Sequence, residues 1–162
     1  MRPHDDPSWD QYPETILEFF REPEDDEPVL TVDLRAPVVD DARDGLADLG
    51  LDGPFGIVTA AAPRGEPVDD AFDRARQADL EEVVLLDEHV DWLRVDGVSP
   101  DGRHRERSIA LRLPRDRIVA LGRHYQQSAV FWFDGESFWL VGAVVAAEAR
   151  RLPVDEGVGR RA

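Results

Sequence analysis

The stretch that decides the fold is RDRIVALGRHYQQSAVFWFDGESFWLVG, residues 115–142. Its first part predicts a helix, because Ile118, Leu121 and Tyr125 recur at helical spacing and form one apolar face. Pro114 suits the start of this helix, where a missing N–H costs no hydrogen bond. The sequence therefore predicts an amphipathic helix that leads into the aromatic segment behind it.

The aromatic segment predicts a β-hairpin. The run SAVFWF is continuously apolar, which is typical of a strand covered on both faces. The pair Asp134 and Gly135 favours a two-residue turn, because both central positions of that turn need a positive φ. With a turn of this length, Phe131 faces Phe138 across the hairpin.

Working back from this stretch, the sequence predicts further strands and helices in alternation. Strands are predicted at 29–34, 55–60, 91–98 and 108–113, and helices at 13–20, 42–49, 69–80 and 143–151. We interpret residues 1–12 as a loose arm and residues 81–88 as a helix end that passes into a strand-like extension. The pattern favours an α/β (α+β) fold, with a single-layer mixed or mostly antiparallel sheet packed with helices.

The length of 162 residues indicates one domain with a sizeable core. We expect an acidic N-terminal arm with a short helix at 1–28, a single α/β domain at 29–145 and a C-terminal tail at 146–162. The chain has no Cys and no apolar run of membrane-spanning length, so we expect a cytoplasmic protein without disulfides.

The charge balance is strongly acidic, with a net charge of −16. This excess argues against binding to nucleic acid or to an anionic membrane. Every basic residue apart from His is Arg, and Lys and Asn are absent. Two readings stay open, a GC-rich genome alone or adaptation of a halophilic organism to high salt, where screening weakens repulsion between carboxylates.

Four short motifs follow one another within residues 55–142. They are TAAAP at 59–63, DRARQADL at 73–80, ERS at 106–108 and LGRHYQQ at 121–127. In this order they resemble the DUF3293 family of small uncharacterised bacterial and archaeal proteins. The resemblance implies no established activity.

The chain departs from the family pattern at two positions. Ala62 stands where the family has Asn, so an activity that needs this amide would be lost here. Gln126 stands where the family has Gly, and we expect it to disturb the end of the helix, since Gly takes a left-handed conformation more readily.

The candidate ligand site is a set of polar residues at predicted strand ends and adjoining loops, where α/β folds commonly bind ligands. The set consists of Thr59, Arg64, Glu106, Ser108, Arg123 and Gln127. The guanidinium groups of Arg64 and Arg123 could hold a phosphate or a carboxylate. The alternative is structural, with Glu106 paired to an Arg and Ser108 ending a strand.

Three functional hypotheses follow. The first is a non-enzymatic binding or interaction module for a small anionic ligand or a protein partner. The second is a hydrolase-type enzyme that uses Glu106 and His124 in the same cleft. The third is a structural partner of another protein, which predicts an exposed apolar patch at Trp132, Trp139 or the N-terminal aromatic residues. No His spacing indicates a metal site, and no motif indicates a cofactor.

Overall fold

The computed structural model describes residues 1–61 and 70–154, and in them an eight-stranded antiparallel sheet is packed with helices. The strands are β1 Ile16–Phe19, β2 Leu30–Asp33, β3 Phe55–Thr59, β4 Trp92–Val98, β5 Arg105–Leu111, β6 Ala129–Phe133, β7 Phe138–Gly142 and β8 Arg150–Arg151. Their order in the sheet is β2-β1-β4-β5-β3-β6-β7-β8. The helices are α1 Asp40–Asp48, α2 Asp70–Val83 and α3 Arg115–His124, with short 3₁₀ turns at Pro3–Asp5 and Trp9–Glu14.

This architecture confirms the predicted fold class, including the helix and hairpin formed by α3, β6 and β7. Within the described part of the chain, no helix is both long and apolar enough to cross a membrane.

Strand alternation divides the core into two apolar clusters, one on each face of the sheet. On β3, Phe55 and Ile57 pack with Trp9 of the N-terminal segment and Leu46 of α1, and we name this side the arm face. Val58 of the same strand packs on the opposite side against α2 and α3, and we name that side the helix face.

Close packing on the helix face depends on a glycine in β3. A Cβ atom placed on Gly56 would lie 2.5 Å from Cγ2 of Ile118, which is fully buried in α3. Because Gly56 has no side chain, α3 can pack closely against β3 at Ile118.

The helix predicted at 13–20 is wrong. Residues Ile16–Phe19 form β1, which lies between β2 and β4 in the sheet. Leu17 and Phe19 are buried while Ile16 and Glu18 are only partly covered, so the burial period is two and not that of a helix. Residues 1–12 are likewise not a loose arm, since Trp9 is only 6% exposed within the core of the arm face.

The helix predicted at 143–151 and the strand-like extension predicted at 81–88 are also wrong. Residues 143–151 form no helix, because Arg150–Arg151 pairs with β7 as β8 and Leu152 is buried behind it. The strand-like extension at 81–88 is instead helical, since α2 continues as a π turn over Val84–Glu88. The division into arm, domain and tail stays a prediction, and residues 155–162 of the tail lie outside the described residues.

The hairpin forms where predicted, but its register differs. Phe133 pairs with Phe138, and Phe131 pairs with Leu140, so four residues and not two connect the strands. The side chain of Asp134 explains the longer turn, because its Oδ1 accepts hydrogen bonds from the backbone N–H groups of Glu136 and Ser137. Burial acts to raise the pKa of Asp134, but these bonds and one from the Trp139 indole outweigh it and lower the pKa.

Candidate ligand cavity

A cavity of about 570 Å³ lies on the arm face, between the N-terminal segment and the ends of several strands. Ligand sites commonly have volumes of roughly 300–1,000 Å³, so this cavity could accept a metabolite-sized molecule. Its apolar lining includes Leu17, Ile57 and Leu140, which belong to the core of the arm face.

Alternation along β5 places Glu106 and Ser108 in the cavity and its arginines outside it. Glu106 and Ser108 line the cavity, whereas the side chains between and before them point to the helix face. There Arg105 Nη1 lies 2.9 Å from carboxylates of both Glu18 and Asp96. Arg107 Nη2 lies 3.0 Å from Glu81 of α2. Among the described residues, Glu106 is therefore without the arginine partner that the structural alternative required.

Thr59 and Gln127 hold the backbone where β3 ends beside the cavity. Thr59 Oγ1 donates a hydrogen bond to the Arg107 carbonyl (2.9 Å) and accepts one from the Ala61 N–H (3.1 Å). Gln127 Nε2 donates to the carbonyl oxygens of Ala61 (2.9 Å) and Tyr125 (3.1 Å). Both side chains line the cavity, and their hydrogen bonds shape this part of its wall.

Tyr12, which is partly buried, and Ser128, which is buried, lie near each other in the cavity wall. The Tyr12 hydroxyl donates to Asp6 Oδ2 at 3.0 Å, and burial raises the pKa of this phenol well above its usual value. The Ser128 hydroxyl lies near the phenol and opposes this shift in pKa, but the two groups are not in hydrogen-bonding geometry. Ser128 is 3% exposed, and its Oγ has no hydrogen-bond partner among the described residues. A buried hydroxyl without a partner is costly, so this group can gain from a ligand.

The charge on the cavity wall is negative. Glu14, Asp101 and Glu106 line it, and His104 is the basic side chain among the described lining residues. Glu106 stays accessible to solvent at the cavity mouth, yet the surrounding protein partly desolvates its carboxyl group and raises its pKa. The negative charge of Asp73 raises this pKa further, while His104 opposes the shift. Among described residues, no cluster of His, Asp or Glu side chains could hold a metal ion.

The structure brings four of the six predicted site residues together, since Thr59, Glu106, Ser108 and Gln127 all line this cavity. Arg123 lies elsewhere, because it is exposed on α3 and its Nε donates to the Ala143 carbonyl at 2.9 Å. Arg64 lies outside the described residues, as does Ala62. His124 is exposed on α3 beside the Tyr125 ring and is not part of the cavity wall.

The cavity's other polar residues have little signal in the sequence. Tyr12 falls in a segment without periodicity, and Ser128 reads as the first residue of an apolar strand. The one available signal for Ser128 is its position next to the last family motif, where it follows Gln127. His104 lies in a turn between two strands, where a polar residue is expected whether or not it has a function.

A second pocket, of about 450 Å³, lies on the helix face near the acidic loop at 22–27. Arg94, Arg105 and Arg107 line it, and the Arg94 guanidinium lies 4.0 Å from the centre of the Phe20 ring. Arg94 also forms two hydrogen bonds with the carboxylate of buried Asp96, at 3.0 and 2.8 Å. Each of these arginines already has a carboxylate partner, which makes this pocket a poorer anion site than its composition indicates.

The apolar patch predicted at the hairpin tryptophans is not present. Trp132 and Trp139 face each other across the hairpin, are partly buried and pack against the core of the helix face. The large apolar side chains that remain exposed along α2 and its π turn are Phe72, Leu85 and Leu86.

Comparison with known proteins adds a family but no function. Residues 58–130 match the family described as "Protein of unknown function (DUF3293)", which confirms the resemblance. No curated protein and no solved structure matches the chain. The matched segment contains Thr59, Glu106, Ser108, Gln127 and Ser128 of the cavity wall, whereas the N-terminal segment that closes the cavity precedes it.

Proposed function

We propose that this DUF3293-like chain is a binding module that holds a small polar molecule in the cavity of the arm face. The observation that carries the proposal is a cavity of metabolite size with polar groups set in an apolar wall. Glu106, Ser108 and Ser128 would contact the ligand, while Thr59 and Gln127 fix the backbone around it.

An anionic ligand, which the two arginines led us to expect, finds less support. The described cavity wall carries Glu14, Asp101 and Glu106 but no Arg, and Arg123 bonds to a backbone carbonyl elsewhere. Anion binding here would therefore depend on Arg64. A protein partner that inserts a side chain into the cavity would use the same walls.

A hydrolase-type enzyme is the second candidate. It is favoured by the raised pKa of Glu106, because a carboxyl group with a raised pKa is better suited to act as a general acid. In such an enzyme His104, which lines the same cavity, would take the role that the sequence assigned to His124.

The cavity can be tested by filling it from Gly97, which pairs directly with Glu106 on the neighbouring strand. A Cβ atom at Gly97 would meet only Thr15 Cγ2, at an ordinary contact distance of 3.4 Å, so a larger side chain has room to extend into the cavity. Gly97→Phe fills this space, and Gly97→Ala is the matched control that leaves it open.

The measurement is a thermal-shift screen of a metabolite library on wild type and both variants. A ligand that binds the folded state at about 100 times its Kd adds ~2.7 kcal/mol to the free energy of unfolding. We expect at least one compound to stabilise wild type and Gly97→Ala but not Gly97→Phe. A compound that stabilises all three proteins equally binds elsewhere, and a library without any stabilising compound contradicts the proposal.

A further inference from the structure

We infer that the cavity selects a small organic cation, an amine or quaternary ammonium compound whose positive charge lies at Glu106 and whose polar end reaches Ser128. The inference rests on the proposed function, because it assigns a charge to the ligand of the same cavity. It goes further by favouring a cation over the anionic ligands that Arg64 and Arg123 led us to expect.

The first argument is the missing countercharge. The arginines before and after Glu106 in the sequence lie on the helix face, where they pair with Glu18, Asp96 and Glu81. No described Arg lies within ion-pair distance of Glu106. A ligand cation would provide Glu106 with the positive charge that the neighbouring arginines, which lie on the other side of the sheet, do not provide.

The second argument is the charge around Glu106. Glu14 and Asp101 line the same wall, and a hydrogen bond from the Ser99 hydroxyl and one from the Arg103 backbone N–H keep the pKa of Asp101 below its usual value. Asp73 of α2 adds negative charge on the helix side, and among the described residues His104 opposes its effect on the pKa of Glu106. This field favours a cation and repels an anion.

The third argument is independent of charge. The Ser128 hydroxyl is buried in the wall and lacks a hydrogen-bond partner among the described residues. Ser108, which is 6% exposed, also lines the cavity. Two serine side chains in a partly apolar wall fit a ligand that carries a hydroxyl or a second amine beyond its charged end.

The direct test uses two series of probes that keep shape and change charge. The first series is putrescine, the neutral diol of the same chain length, and succinate. The second series is choline, its neutral analogue 3,3-dimethylbutan-1-ol, in which a tert-butyl group replaces the trimethylammonium group, and the matching carboxylate 3,3-dimethylbutanoate. Dissociation constants are measured by calorimetry at constant ionic strength for wild type, Glu106→Gln and Glu82→Gln. Glu82 is exposed on α2 away from the cavity, so this control loses the same formal charge.

We expect a cation of at least one series to bind wild type and the Glu82→Gln control alike. Glu106→Gln should weaken that binding about tenfold or more, because it removes the negative charge that attracts the cation and, for an amine, a charge-assisted N–H hydrogen bond, which typically contributes ~1.5–3 kcal/mol. Affinity for the cation should rise between acidic and neutral pH, since Glu106 must lose its proton to pair with the ligand.

Other outcomes separate the two proposals. If the neutral or anionic member binds as tightly as the cation, or if Glu106→Gln leaves cation binding unchanged, the charge assignment is wrong. In that case, loss of binding in Gly97→Phe still supports the cavity as a ligand site. If no cation in either series binds wild type, the inference is overturned, and the metabolite screen alone decides the proposed function.

Discussion

At the scale of single residues, Gln126 shows how this chain accommodates a departure from the DUF3293 pattern that it resembles. The residue has a φ of 62°, the left-handed conformation that Gly takes easily. The helix still ends regularly, because the N–H of Gln127 bonds to the Gly122 carbonyl at 2.9 Å. The expected disturbance of the helix end is therefore absent, and its cost is confined to one strained backbone position.

Gln126→Gly should accordingly stabilise the protein. Left-handed backbone costs an L residue roughly 1–2 kcal/mol, and part of this gain is lost to the greater freedom of Gly in the unfolded chain. We expect a net gain of about 1 kcal/mol in the free energy of unfolding, measured by urea denaturation. Gln126→Ala is the control, because it removes the side chain but keeps the strain. Equal stability of the two variants would contradict this explanation.

Glu106 should lower stability at neutral pH. Its folded-state pKa is raised, so the folded state binds the proton more tightly than the unfolded state. The stabilising effect of the protonated carboxyl is complete below the unfolded pKa and is lost as pH rises through the folded pKa. We therefore expect Glu106→Gln to raise the melting temperature near neutral pH and to have little effect at acidic pH. A stabilisation that is independent of pH would show that the charge of Glu106 is not its cause.

At the scale of elements, the packing of α3 on β3 depends on the pair Gly56 and Ile118. Gly56→Ala places a Cβ atom against three atoms of the buried Ile118 side chain, at 2.5–2.7 Å. Overpacking of this kind typically costs about 1–3 kcal/mol, and Ile118→Ala alone should cost about 2–5 kcal/mol through the cavity it leaves.

The double variant should be more stable than the sum of the two losses, because Ile118→Ala removes the atoms that the new methyl group meets. Urea denaturation of wild type, both single variants and the double variant gives this coupling directly. Strict additivity would mean that α3 shifts away from the sheet and that Gly56 does not fix its position.

Prediction from sequence worked best where local and tertiary preferences agree. The α3 helix and the β6–β7 hairpin were predictable, because helical spacing, aromatic strands and the Asp134–Gly135 pair indicate the same elements. The hairpin register was not predictable from turn propensity, since the Asp134 side chain stabilises a longer turn. Residues 13–20 were mistaken for a helix because their apolar spacing fits either period, and only pairing with β2 and β4 makes Ile16–Phe19 a strand.

The cavity was predictable only in part, because some of its residues come together only through contacts between segments that are distant in sequence. Thr59, Glu106, Ser108 and Gln127 belong to family motifs within one sheet, so strand ends bring them together. Tyr12 and Ser128 have no such motif, and they meet only because the N-terminal segment folds across the arm face. A contact between residues this far apart in sequence leaves no periodic signal in either segment.

At the scale of the whole molecule, charge is distributed unevenly between the two faces of the sheet. The helix face pairs arginines with carboxylates around Asp96, which is only 1% exposed. The cavity on the arm face gathers Glu14, Asp101 and Glu106. Among the described residues, Asp101 has Arg103 at 4.0 Å, whereas Glu14 and Glu106 have no arginine at ion-pair distance. Screening by salt should therefore have two effects, since it reduces general repulsion between carboxylates and weakens attraction of a cation to the cavity.

The excess of 35 acidic over 19 basic residues predicts that salt stabilises this protein. The Debye length falls from about 30 Å at 0.01 M to about 3 Å at 1 M salt, which removes repulsion between exposed carboxylates. We expect a gain of about 1 kcal/mol between these concentrations of KCl, which corresponds to roughly 2–4 °C in melting temperature for a chain of this size. Thermal denaturation at several KCl concentrations measures this slope.

A charge-reduced variant separates screening from the general effect of salt on apolar burial. Glu24, Asp26 and Glu27 are exposed on the acidic loop, and changing all three to their amides reduces the net charge from −16 to −13 (−16 + 3). If screening stabilises the protein, the variant should be more stable than wild type at low salt and should show a smaller salt slope. An unchanged slope would mean that salt acts through apolar burial, and the acidic composition would then reflect the genome and not adaptation to salt.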